Sequence, residues 1–192
     1  MRSWRAGAFA APCDLTNADA VRAAVAAIHA AFGASPEILV NNAGTFRVGP
    51  VQQIASDDFK AMLDLNLFAP HLFIREFVPG MLTARRGHIV SIGSVADRSA
   101  YAGNGGYSAS KFGARALHEI LRAETKGTGV RATLVSPSAT DTSIWDGLPA
   151  EKRASYPKAA DMLRADDVAN AVLYAVTQPA TVNVDELRLT RA

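Results

Sequence analysis

Residues 87–112 read GHIVSIGSVADRSAYAGNGGYSASKF. They hold a short apolar run at 88–92, a polar turn opening at Ser94, and the start of a helical pattern at Tyr107. A run of that length bounded by glycines has the size of a strand buried on both faces. The pattern recurs in both directions along the chain. Apolar runs stand at 8–12, 38–40, 88–92, 130–135 and 182–189, and helical patterns lie between them at 19–32, 57–83, 107–125 and 166–177. Thr16 or Asn17, Ser56 and Ala165-Asp166 offer helix starts, while Gly33, Gly87 and Gly127 to Gly129 offer stops. Strand and helix in alternation predict consecutive β-α units, hence an α/β fold with a doubly wound parallel sheet. Ligands of such sheets bind beyond the carboxyl ends of the strands. Asp14, Asn41-Asn42, Ser94 and Ser136-Pro137, each at the end of a run, are therefore expected on one edge. The polar, proline-punctuated stretch 145–162 interrupts the alternation, and both a flap over that edge and an ordinary surface excursion fit it.

A length of 192 residues and a 49% hydrophobic content suit a single domain, residues 1–192, with a sizeable core. The net charge of +2 is nearly balanced, and basic pairs such as Arg85-Arg86 are scattered, which argues against a nucleic-acid partner. No apolar segment has the length to span a bilayer, so no membrane partner is expected. The Ala-rich run at 6–11 ends at Pro12 and Asp14, too short for a secretion signal. The single Cys13 excludes an internal disulfide and agrees with a reducing, cytoplasmic setting. The four His, at 29, 71, 88 and 118, form no ligand cluster with Cys13, and no metal site is expected.

Tyr107 and Lys111 are four residues apart, so in a helix both side chains emerge on one face. A phenol titrating near ~10 is a poor acid or base at neutral pH, and a neighbouring ammonium favours its phenolate. Ser94, a hydroxyl at a strand end, can donate to a carbonyl oxygen on which negative charge develops. Asn41-Asn42 provides uncharged donors and acceptors, and Ala43-Gly44 lets the backbone approach a ligand closely. Pro70 lies four residues after Asn66 and has no N–H for the Asn66 carbonyl, which is thereby freed within the helix.

In this order and with these intervals, Cys13-Asp14-Leu15-Thr16, Asn41-Asn42-Ala43-Gly44, Asn66, Ser94, Tyr107 with Lys111, and Pro137 resemble the short-chain dehydrogenase/reductase family over essentially the whole chain. The resemblance implies a Rossmann-like fold and a cytoplasmic NAD or NADP-dependent oxidoreductase acting on a small-molecule alcohol or carbonyl substrate. It implies catalytic roles for Asn66, Ser94, Tyr107 and Lys111, with Lys111 also binding the nicotinamide ribose. Asp14 and Leu15 are then expected near adenine. Asn41, Ala43, Gly44, Tyr107, Lys111, Pro137 and Thr140 are expected along the rest of the cofactor. Ser138 stands where the family has glycine, and a positive φ there would strain it. A homodimer or homotetramer built on the helices at 57–83 and 107–125 is implied as well.

The glycine-rich turn with which the family begins, G-x-G-x-x-G, has no counterpart in these residues. Met1 falls near the end of the family's second helix, so the resemblance predicts a sheet lacking its first two strands and the first helix, an N-terminally shortened form. In the family order 3-2-1-4-5-6 the run at 8–12 is the third strand and that at 38–40 the fourth. The run at 8–12 then has no neighbour, and the sheet is expected to begin, in effect, at Ile38 with a bare apolar edge. Nucleotide binding without the glycine turn is expected to be weak and turnover impaired. A catalytically silent interaction subunit that keeps the fold is the alternative reading.

Overall fold

The computed structural model describes residues 8–192. Asn17 starts the first helix, α1 (Ala18–Phe32), its side-chain oxygen accepting from the N–H groups of Asp19 and Ala20, and Gly33 ends it in the left-handed region. Strand β1 (Ile38–Asn41) follows, then α2 (Ser56–Leu63), a π-turn (Asp64–Phe68) and α3 (Ala69–Ala84) as one continuous helical run. Strand β2 (Gly87–Ile92), α4 (Gly105–Thr125) and β3 (Val130–Pro137) complete the centre. The remainder comprises β4 (Thr140–Asp141), α5 (Ala150–Arg153), β5 (Leu163–Arg164), α6 (Ala165–Val176) and β6 (Glu186–Leu189).

The main sheet has the order β1-β2-β3-β6, all parallel, and β4 pairs β5 beside it. Side chains of a strand alternate between faces. Ile89 therefore points to the face where α1, α3 and α4 bring Val21, Val25, Leu72, Phe77, Met81 and Leu121 into one buried cluster. Val40 and Ile92 point the other way and share a cavity with Val168, Ala169 and Val172 of α6. Helices thus flank both faces, as a doubly wound sheet requires.

The run at 8–12 forms no strand. Residues 8–14 are irregular, the Phe9 ring sits edge-on to Phe32 at 6.3 Å, and Cys13 packs against the main cluster. An extended segment becomes a strand only by exchanging hydrogen bonds with a neighbour, and this one folds against the end of α1 instead. Residues 1–7, the rest of that N-terminal segment, lie outside the described residues. Among the described residues the sheet begins at β1, whose outer edge has no strand beside it and whose Ile38 and Val40 are 46% and 41% exposed. Two boundaries also shift. The run at 182–189 is strand only from Glu186, and the helix expected to stop at Gly87 ends at Ala84, capped by Arg85, whose φ of 50° places it in the left-handed region.

Candidate active site

Helix α4 brings Tyr107 and Lys111 to the carboxyl end of β2, where Lys111 bonds the carbonyl of its last residue, Ile92, and the turn after β2 carries Ser94. The three side chains border one cavity of about 1170 Å³ together with Asn42, Gly44, Pro137 and Thr140. The Ser94 hydroxyl accepts from the Ala96 N–H at 3.1 Å and keeps its own proton to donate. The Lys111 ammonium donates to the Ile92 carbonyl at 2.8 Å and stands 5.8 Å from the centre of the Tyr107 ring. Only one of its three N–H protons is engaged there.

Electrostatics at this site run partly against expectation. Burial pushes the Tyr107 phenol above its ordinary value; a hydrogen bond with Ser94 opposes the rise, and the Asp97 charge adds to it. Burial also lowers the Lys111 ammonium to about 8, against the Asp97 charge, which favours the cation. The expected lowering of Tyr107 by Lys111 does not prevail. Desolvation of the phenolate is the largest influence, and the one that opposes it is the Ser94 hydrogen bond.

Asn66 lies in the π-turn and is 2% exposed. Its amide brackets the loop after β1, accepting from the Thr45 N–H at 2.8 Å and donating to the Thr45 carbonyl at 3.0 Å and to the Ser110 hydroxyl at 2.9 Å. With both amide protons engaged, the main-chain carbonyl is the group of Asn66 left for chemistry, and Pro70 denies it the usual helical donor. Asn66, Pro70, Lys111, Asn41, Ser91 and His118 border a second cavity of about 20 Å³, the size of one water. The Asn41 amide nitrogen and His118 Nε2 are buried there without a partner among the described residues.

Some predicted positions lie elsewhere. Asn41 and Ala43 line the small cavity, and their neighbours Val40, Asn42 and Gly44 line the large one, because successive residues of an extended chain face opposite ways. Of the residues expected along the cofactor, Gly44 borders the large cavity, beside Asn42, while Asn41 and Ala43 border the small one. Asp14 and Leu15 border neither cavity. The Asp14 carboxylate turns back to its own Thr16, accepting from the N–H at 2.9 Å and the hydroxyl at 2.7 Å, and this holds it below the usual carboxylate range. Ser138 is unstrained: Arg85 alone among described non-glycine residues has a positive φ.

An aromatic wall was not foreseen. Phe46 packs edge-on against Tyr107 at 4.8 Å, Trp145 at 5.3 Å and Tyr156 at 5.7 Å. Trp145 and Tyr156 come from the stretch 145–162, which covers the cavity and is tied to α4 by the Tyr156 hydroxyl, which donates to the Asn104 side-chain oxygen at 3.0 Å. Of its two readings the flap is the one observed. Aromatic residues in segments beyond strand ends were the available signal, at Phe46 above all.

The groups bordering the large cavity fit a nicotinamide nucleotide. The two Lys111 protons not given to Ile92 suit vicinal ribose hydroxyls. A Cβ at Gly44 would come within 3.2 Å of Asn66 Oδ1, so glycine keeps the turn low against the cavity wall.

Residues 2–153 match the short chain dehydrogenase family. A glycine betaine reductase of Emericella nidulans is 35% identical over 177 residues, covering 91% of this chain and 14% of that protein. An uncharacterized oxidoreductase of Staphylococcus aureus is 31% identical over 177 residues, covering 92% of this chain and 73% of its own length. The crystal structure of a metagenomic short-chain oxidoreductase in complex with NADP superposes with a TM-score of 0.75 at 31% identity, covering 94% of this chain and 72% of that one. A doubly wound parallel sheet with its site at the carboxyl edge places the molecule in the Rossmann-like class. Within that class the chain belongs to the short-chain dehydrogenase family, a family of oxidoreductases.

Proposed function

We propose that this chain carries the catalytic site of an NAD or NADP-dependent oxidoreductase that interconverts an alcohol and its carbonyl compound. The observation that carries this reading is the meeting of Ser94, Tyr107 and Lys111 around one cavity at the sheet edge. Lys111, Asn42, Gly44, Pro137 and Thr140 would hold the nicotinamide half, with Tyr107 beside it. When bound, that group supplies or accepts the hydride.

The Ser94 hydroxyl donates to the substrate oxygen. The Tyr107 phenol, kept protonated by its burial, gives its proton to that oxygen in the reducing direction and takes it back in the oxidising one. Lys111 anchors on Ile92 and offers its remaining protons to ribose. The Asn66 carbonyl and the small cavity beside Lys111 suit a water through which the spent proton is replaced. Phe46, Trp145 and Tyr156 favour a flat, uncharged substrate such as an aryl ketone or aldehyde. A cytoplasmic setting and assembly as a homodimer or homotetramer belong to the same proposal; Phe112 and Ile120 of α4 and Phe68 of the π-turn are exposed and available for such an interface.

The open β1 edge supports a second reading, a catalytically silent subunit that docks another chain there. Turnover separates the two. Purified protein with millimolar NADH or NADPH is expected to reduce an uncharged aryl aldehyde or ketone, and Tyr107→Phe to lower the rate by about a hundredfold or more. Equal rates in both proteins would overturn the catalytic reading.

A further inference from the structure

Asp97 lies three residues beyond Ser94 and is completely buried. One of its carboxylate oxygens, Oδ2, accepts from the Ser94 N–H at 3.2 Å and from the Ser136 hydroxyl at 2.6 Å; the other, Oδ1, accepts from Arg98 Nε at 2.8 Å and lies 3.6 Å from Arg115 Nη1. Arg98 and Arg115 both reach Glu186 at the start of β6. A helix cap for the single turn Val95–Asp97 needs the Ser94 contact alone. The bond to Ser136 crosses to another strand and needs room, which Gly93 supplies: a Cβ there would stand 2.5 Å from Asp97 Oδ2 and 2.8 Å from Ser136 Oγ. Ser136 directly precedes Pro137, so one oxygen joins the backbone of Ser94 to the strand end on the nicotinamide side of the cavity.

We propose that Asp97 is a positioning residue whose single carboxylate locks the Ser94 backbone to Ser136, so that the hydroxyl facing the substrate oxygen and the strand end facing the nicotinamide hold a fixed mutual place. Its charge acts at the same time on the proton-bearing pair. Tyr107 and Lys111 face Asp97 from α4; Arg98, Arg115 and Glu186 stand behind the carboxylate, His118 lies two turns along α4 from Lys111, and Asp161 borders the cavity from the flap. Of these charges, Asp97 is the one that favours the Lys111 cation and the protonated phenol.

The role rests on the reading of Ser94 given above, but its test needs no turnover, so the two can fail separately. Hydrogen exchange at the Ser94 amide, by NMR, reports the lock, and the titration of Lys111 in isotope-labelled lysine reports the charge; Lys111→Met assigns the signal among five lysines. Asp97→Ala is expected to speed exchange at Ser94 by about tenfold or more while Val90, inside β2, stays slow. Asp97→Asn is expected to move the Lys111 midpoint below its native value of about 8. A purely structural role predicts the opposite, since loosening of the fold hydrates Lys111 and raises its midpoint. Should both variants fail to fold, Ser136→Ala keeps the charge and removes one anchor: Ser94 exchange then rises with the Lys111 midpoint unmoved. Native-like exchange at Ser94 in a folded variant, or a Lys111 midpoint that stays or rises in Asp97→Asn, overturns the proposal.

Discussion

Lys111 is a buried ammonium with one protein acceptor, and this sets what its removal does. Lys111→Met deletes the ribose contact and the charge beside Tyr107, so nucleotide affinity and turnover are both expected to fall. Tyr107→Phe deletes one exchangeable proton and is expected to leave nucleotide affinity within about twofold while turnover is nearly lost. Parallel binding titrations and rate measurements check the contrast; small and equal effects would contradict the roles. His88 and His118 make a separate point. Burial lowers each to about 4, with His88 bonded to the Thr133 hydroxyl and His118 to that of Ser91. Below pH ~6.5 the unfolded chain takes up protons that the folded imidazoles refuse, so stability present above 6.5 is lost as pH falls towards 4. The loss is on the order of a few kcal/mol for the two imidazoles together, read from urea midpoints across that interval. A flat profile there would contradict their neutral burial. At this scale Tyr107 and Lys111 were legible as one helix face and Ser94 as a strand end, and their joint role followed from the family resemblance. Asp97 was not, since a carboxylate in a polar turn reads as solvated until Ser136, 39 residues away, is seen to meet it.

The π-turn at Asp64–Phe68 is where covalent structure shapes an element. Pro70 cannot donate to the Asn66 carbonyl, and the helix widens by one residue just before it, presenting Asn66 to the loop after β1. Pro70→Ala restores the missing donor. It is expected to stabilise the chain by about 1 kcal/mol or more in urea unfolding and to lower turnover, because the Asn66 carbonyl becomes engaged within the helix. Lower stability with unchanged turnover would show that the widening serves packing alone. The sequence predicted the freed carbonyl but not a π-turn, because bulge and kink both relieve the same lost bond and side-chain packing chooses between them. The segment at 8–12 failed for a related reason. Apolar residues in a row suit a strand, yet strand formation is decided by a partner elsewhere in the chain, and here residues 8–14 lie against α1.

At the scale of the whole molecule, β1 leaves a row of backbone groups with no strand partner among the described residues, beside half-exposed Ile38 and Val40. Such an edge promotes association. Ile38→Lys with Val40→Lys is expected to reduce self-association in light scattering without unfolding, since both side chains lie off the main cluster; unchanged association would place the contact elsewhere. The layered α/β order was readable from the alternation of runs, and the edge at Ile38 followed from the strand order that the family resemblance implies. The aromatic wall was not, because its members stand far apart in sequence and meet only once the flap closes over the sheet. The central claim, that the cavity at Ser94, Tyr107 and Lys111 receives a nicotinamide nucleotide, is tested most directly by following the five lysine signals of isotope-labelled protein while NADP+ is raised into the millimolar range. The account predicts a saturable shift of Lys111, with Lys60, Lys126, Lys152 and Lys158 unmoved, whereas a silent Lys111, or shifts confined to the other four, would contradict it.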